Sequence, residues 1–92
     1  MRTASKSTTP DRPDDLHEQL GFFGRAAKEL RRERGFEVEE LAARAGFSIR
    51  HVLLLEGGRV NEGFDGLCRL AQALDVGLDV PFRRMEALGG GR

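Results

Sequence analysis

The chain has 92 residues, 15 basic and 15 acidic, and a formal net charge of zero. That length suits one small domain, and the charge balance excludes a general polyanion binder, so any nucleic-acid reading must rest on a motif and on local charge. A lone cysteine, Cys68, excludes an internal disulfide framework. There are no Cys/His clusters with metal-ligand spacing and no apolar run near the roughly 18 residues of a membrane span.

Residues 1–13, MRTASKSTTPDRP, are rich in Ser, Thr and Pro and almost free of large apolar side chains. They read as a disordered N-terminal arm. A domain follows over residues 14–88, and GGGR at 89–92 reads as a flexible tail. The N-terminus lacks the apolar core of a signal peptide, so a cytoplasmic protein is expected.

Asp15 and Glu18 form a D-x-x-E capping box ahead of a first helix. Gly21 and Gly24 weaken this stretch and place the firm start of the helix near Phe22. Phe23, Ala27, Leu30 and Arg34 then share one face, and Gly35 stops the helix. VEELAARA, residues 38–45, is a second helix, with Leu41, Ala42 and Ala45 inward. Glu39 and Glu40 sit in its first turn, at the positive end of the helix dipole. Gly46 closes it. Ser48 caps a third helix, residues 49–56, which Gly57 and Gly58 end. A fourth runs from about Phe64 to Leu74, with Leu67, Leu70, Ala71 and Leu74 as its apolar stripe. Asp79 caps a fifth, with Pro81 in its tolerant first turn and Phe82, Met85 and Leu88 on one side. Five short helices joined by tight turns predict an all-α orthogonal bundle.

Two short helices joined by a glycine turn make a helix-turn-helix, here over residues 38–56. Ala42 lets the two helices approach, Gly46 makes the turn, and Phe47 plugs it from inside. With ELRRERG (29–35), EELAARAG (39–46), Ser48, Val52, Leu55-Glu56, Gly58, Asn61 and LCRLAQALDV (67–76) in place, residues 22–82 resemble the phage-repressor family of DNA-binding domains. This is the lambda-repressor-like, Cro/cI or Xre type. The resemblance implies five helices and a cytoplasmic, nucleoid-associated transcription regulator, acting as a repressor or autoregulator. It also implies homodimers on a palindromic operator, no cofactor and no enzyme activity. It further implies that Glu56 pairs with Arg31 as a structural salt bridge between the third and first helices.

On a helical wheel Val52 and Leu55 face inward, while Arg50, Leu53 and Leu54 face outward, with Ile49 on the flank. Leu54 lies near the middle of the outward face and Leu53 at its edge. Ile49, Arg50 and Leu54 are the candidates for base contact. The planar fork of Arg50 can donate twice to guanine O6 and N7, or meet a phosphate alone. Ile49 and Leu54 can read a thymine methyl, form a protein interface, or be covered by a neighbour. Backbone contacts are expected from Val38 (through its N–H), Ser48, His51, Arg59 and Asn61. In the family a glutamine commonly stands where this chain has Val38, and Glu37, Glu39 and Glu40 make the surroundings negative. Glu62-Gly63 replaces the family's frequent proline after Asn61. The expected dimer surface is Val76, Leu78, Phe82, Met85 and Leu88, with the first two and Phe82 closing the core and Met85 and Leu88 toward the partner.

A second reading is a protein-interaction module, or an antitoxin that binds both a toxin and DNA. Ile49, Leu53, Leu54, Val38 and the zero net charge favour it. An enzyme is not expected: there is no nucleophile–base pair, no phosphate-cradling glycine loop and no carboxylate pair in a plausible cleft.

Overall fold

A computed structural model describes the backbone of residues 13–91 and the side chains of residues 15–91. Apart from Pro13, the expected N-terminal arm lies outside the described residues, as does Arg92. The described chain forms five helices: α1 (Pro13–Glu33), α2 (Val38–Ala45), α3 (Ile49–Glu56), α4 (Phe64–Leu74) and α5 (Asp79–Ala87). Among the described residues there is no strand, and no helix is long and apolar enough to cross a membrane.

The core is one cluster. It joins Phe23, Ala27 and Leu30 of α1 with Leu41, Ala42 and Ala45 of α2, Val52 and Leu55 of α3, and Leu70, Ala73 and Leu74 of α4. Each set recurs at helical spacing, so every helix buries one stripe and leaves the rest in water. α1 packs on α3 and α5, and α2 on α3 and α4. α5 closes the bundle with Pro81, which is fully buried, and with Val80 and Met85 packed on the core.

α1 departs from the sequence expectation. It starts at Pro13 rather than near Phe22, and Asp15 lies inside its first turn rather than at a cap. Gly21 and Gly24 do not break it, because tertiary contact repays their low helix propensity. A Cβ on Gly24 would lie 2.5 Å from the carbonyl oxygens of both Leu55 and Glu56. The end of α3 therefore rests directly on the backbone of α1. A Cβ on Gly58 would likewise meet the backbone of Gly21 at 2.8 Å.

The C-terminal segment also differs from the expected flexible tail. Gly90 is buried, and a Cβ there would meet Met85 and Phe22. Gly90 N–H donates to Met85 O at 3.0 Å, and Gly91 N–H donates to Gln19 Oε1 at 2.6 Å. Small residues let this segment fold back onto α1.

Candidate nucleic-acid interface

The turn between α2 and α3 is built by its own residues. Gly46 takes the left-handed conformation at φ 74°, a region that favours glycine. Phe47 N–H donates back to Ala42 O at 2.9 Å, so the last carbonyls of α2 are satisfied. The Phe47 ring packs on the core. The Ser48 side-chain oxygen accepts from His51 N–H at 3.0 Å, fixing the start of α3.

Val52 and Leu55 anchor α3 to the core. Its outer face carries Ile49 and Leu53, 46% and 55% exposed, and the exposed Arg50. Leu53 and Leu54 exchange their expected places, since Leu54 is half-buried. The wheel puts Leu54 outermost; the fold puts Leu53 there. After Gly57-Gly58 the chain turns back along the Leu54 side, where Arg59 N–H donates to Leu54 O at 2.8 Å.

The far end of α3 is clamped. Arg31 Nε donates to Glu56 Oε2 at 2.7 Å and Nη2 to Oε1 at 3.1 Å. Both side chains are less than a tenth exposed. Arg31 Nη1 also donates to Phe36 O at 2.9 Å, tying in the loop before α2. The hydrogen bond to Glu56 holds the Arg31 guanidinium above its ordinary pKa, against the opposing effect of burial. Held in this way, Glu56 presents no free carboxylate at the end of α3.

His51, one of the expected backbone contacts, has a partner within the chain. Its Nε2 lies 2.6 Å from Glu62 Oε1. The imidazole also stacks on Phe47, with ring centroids 4.5 Å apart. His51 is therefore committed to the loop after α3 and to the turn before it. Glu62 was the missed residue. Its carboxylate lies over Gly66, where any Cβ would overlap it. The available signal was an acidic residue just ahead of a helix N-terminus, with a glycine four positions on.

The remaining expected contacts are distributed around α3. Arg59 and Asn61 are exposed in the loop beyond it. The Val38 side chain packs against the core, which leaves only its N–H for a phosphate. Glu37 makes no side-chain cap to α2. The acidity of that helix start is reduced by Arg44, whose guanidinium bonds Glu40 at 3.1 Å.

Among the described residues the cations fall into two groups. Arg31, Arg34, Arg44, Arg69, Arg83 and Arg84 each hold a carboxylate. Arg25, Lys28, Arg32, Arg50 and Arg59 hold none, and of these Arg50 and Arg59 stand at the two ends of α3.

The expected dimer surface is divided differently from the sequence reading. Val76 and Met85 both pack on the core, so Met85 does not point away. Phe82 is the more exposed, at 36%, and its ring lies 5.2 Å from that of Phe23. Leu78 and Leu88 are half-buried. Phe82 and Met85 also line an apolar cavity of about 260 Å³ with Phe23, Leu55 and Leu67. Helix spacing put Met85 and Phe82 on one side; the tilt of α5 on α1 decides which edge is covered.

No family model matches the chain. It is 51% identical over 47 residues to the uncharacterized HTH-type transcriptional regulator y4dJ of Sinorhizobium fredii (strain NBRC 101917 / NGR234). That match covers 51% of this chain and 61% of the relative, so it spans less than two thirds of the relative's length. The structure is similar to the restriction-modification controller protein C.AhdI from Aeromonas hydrophila, with a TM-score of 0.64 and 32% identity over 72% of this chain and 94% of that one. It also shares its fold with the clp gene regulator ClgR from C. glutamicum, with a TM-score of 0.74 and 20% identity over 80% of this chain and 96% of that one. The motif read from residues 38–56, the five-helix bundle that carries it and these likenesses agree: the chain belongs to the Cro/cI-like, Xre-type helix-turn-helix family of transcriptional regulators.

Proposed function

We propose that this protein binds duplex DNA in a sequence-specific way, in the cytoplasm and on the nucleoid, as a homodimeric repressor or autoregulator on a palindromic operator. One observation carries the reading: Arg50 is exposed in the first turn of a capped α3 and holds no carboxylate among the described residues. Residues at the start of a recognition helix reach base edges in the major groove. There Arg50 has the chemistry to read guanine, with Ile49 beside it for a thymine methyl. Arg59, Asn61, Ser48 and the Val38 N–H supply phosphate contacts. Two-fold pairing through the Phe82 edge, with Leu78 and Leu88, sets two α3 helices about 34 Å apart, one turn of DNA. Binding-site selection with purified protein at two salt concentrations tests the reading. A palindrome is expected, bound more weakly at high salt. No enriched sequence, or a monomeric mass at high micromolar concentration, counts against it.

A second reading follows from the exposed Ile49 and Leu53. Together they place an apolar strip on the outer face of α3, suited to a protein partner such as a toxin. Loss of a protein complex in Leu53→Glu, with no DNA bound by the parent, favours that reading.

A further inference from the structure

We propose that α1 carries a second phosphate-binding track, formed by Arg25, Lys28 and Arg32, which grips the DNA backbone flanking the bases read by α3. The inference rests on the DNA-binding reading above and extends its footprint.

The observation is how α1 sorts its charges. Glu29 and Glu33 are both taken by Arg84 of α5, at 3.1 and 2.6 Å. Arg31 is taken by Glu56, and Arg34 by Asp75 and its carbonyl. Arg25, Lys28 and Arg32 are left with no carboxylate bond among the described residues; Arg25 only lies over the Phe22 ring, 5.3 Å from its centroid. They recur at i, i+3 and i+7, so they share one face. Like charges at this spacing repel within an isolated helix. An external anion removes that cost.

Their place in the fold fits a strand of DNA. Arg25 lines a cleft with Glu18, Glu56 and Gly57, at the end of α3. Arg32 lines another with Glu37 and Val38, at the start of α2. The face thus runs from one end of the helix-turn-helix to the other. Seven residues of helix span about 10 Å, the length of duplex axis over which one strand places about three phosphates. Arg32 also stands beside Glu37 and offsets the acidic start of α2, which on its own opposes phosphate.

The test uses the full chain and the duplex recovered by site selection, made in two lengths. One keeps long flanks; the other is trimmed to the bases that selection enriches. The triple variant Arg25→Gln, Lys28→Gln, Arg32→Gln keeps the helix and removes the charge. Arg83→Gln is the charge control, since Arg83 is occupied by Asp79. Fluorescence anisotropy over a salt series should show the triple variant weakened about tenfold or more on the long duplex, with the slope against log salt reduced by about 2.7 per subunit, or about 5 for the dimer. Base preference should stay unchanged, and wild type and variant should converge on the trimmed duplex. Equal affinity and equal slope on the long duplex overturn the track while leaving the reading of α3 intact. Failure of the wild type to bind any duplex removes both.

Discussion

Arg31 on α1 and Glu56 at the end of α3 hold each other by two hydrogen bonds, of 2.7 and 3.1 Å, across 25 residues of sequence. The pair sits where α3 meets α1 beside Gly24, so it sets how the reading helix leaves the core. Removing one member strands a charge in a site that is almost dry. Arg31→Leu should cost about 3–5 kcal/mol, because the carboxylate left behind is unpaired. Arg31→Leu with Glu56→Leu should recover most of that loss. Urea denaturation of the two variants checks this; equal losses in both would contradict it.

Gly24 and Gly21 provide opposite expectations from the same substitution. Gly21→Ala meets nothing within 4 Å and should stabilise α1 by about 0.5–1 kcal/mol. Gly24→Ala brings a methyl against two carbonyl oxygens and should destabilise by about 1–3 kcal/mol as α3 is pushed off. Thermal melts of both variants decide it. A gain of stability at Gly24 would mean that α1 and α3 do not touch there.

Arg50 and Arg59 flank α3 but should fail differently. Arg50→Ala is expected to relax preference at one base position, at a cost of about 1–3 kcal/mol for the preferred base. Arg59→Ala should weaken all sequences alike and reduce the salt slope by about 1. Binding curves on the selected duplex and its single-base variants separate the two.

The His51–Glu62 contact joins α3 to the loop that carries Arg59 and Asn61. Glu62→Ala should release that loop, raising amide hydrogen exchange over residues 57–63 while the core keeps its protection. Gly66→Ala should act in the same direction, since its methyl displaces the Glu62 carboxylate. Unchanged exchange in both variants would show that the loop is held by its backbone alone.

The attachment of α5 should weaken in acid. Its hydrogen bond from Arg84 holds the Glu33 carboxyl below the ordinary value of 4.5. A lowered folded pKa means the pair stabilises above the ordinary carboxylate range and that this is lost as pH falls through the folded value. Glu33 is solvent-exposed, so the effect is small. Wild type should melt slightly higher than Glu33→Gln at pH 7, with the difference shrinking as pH falls below the ordinary carboxylate value.

Much of the fold was legible locally. The ends of α2, α3 and α4 follow from Gly46, Ser48 and the apolar spacing of Val52 with Leu55 and Leu70 with Leu74, because caps and periodicity act within a few residues. The start of α1 was not, since the glycines that weaken it locally are the ones that admit α3. At the candidate interface, Arg50 was readable from its position in the first turn. Leu53 and Leu54 came out in reverse order, because an isolated wheel holds none of the tertiary neighbours that decide burial. His51 looked available for phosphate only while Glu62, eleven residues away, was absent from the picture.

The sequence by itself determined five helices, a glycine turn at Gly46 and a reading helix bearing Ile49 and Arg50 outward, all consequences of short-range chemistry. Only the tertiary structure decided which side chains remain available to a partner. Pairing and close approach are long-range: Arg84 of α5 neutralises Glu29 and Glu33 of α1, Glu62 occupies His51, and the Gly24 backbone carries the end of α3. The chain is neutral as a whole, yet among the described residues those pairings leave the unpaired cations on α1 and around α3, which no composition could have foretold.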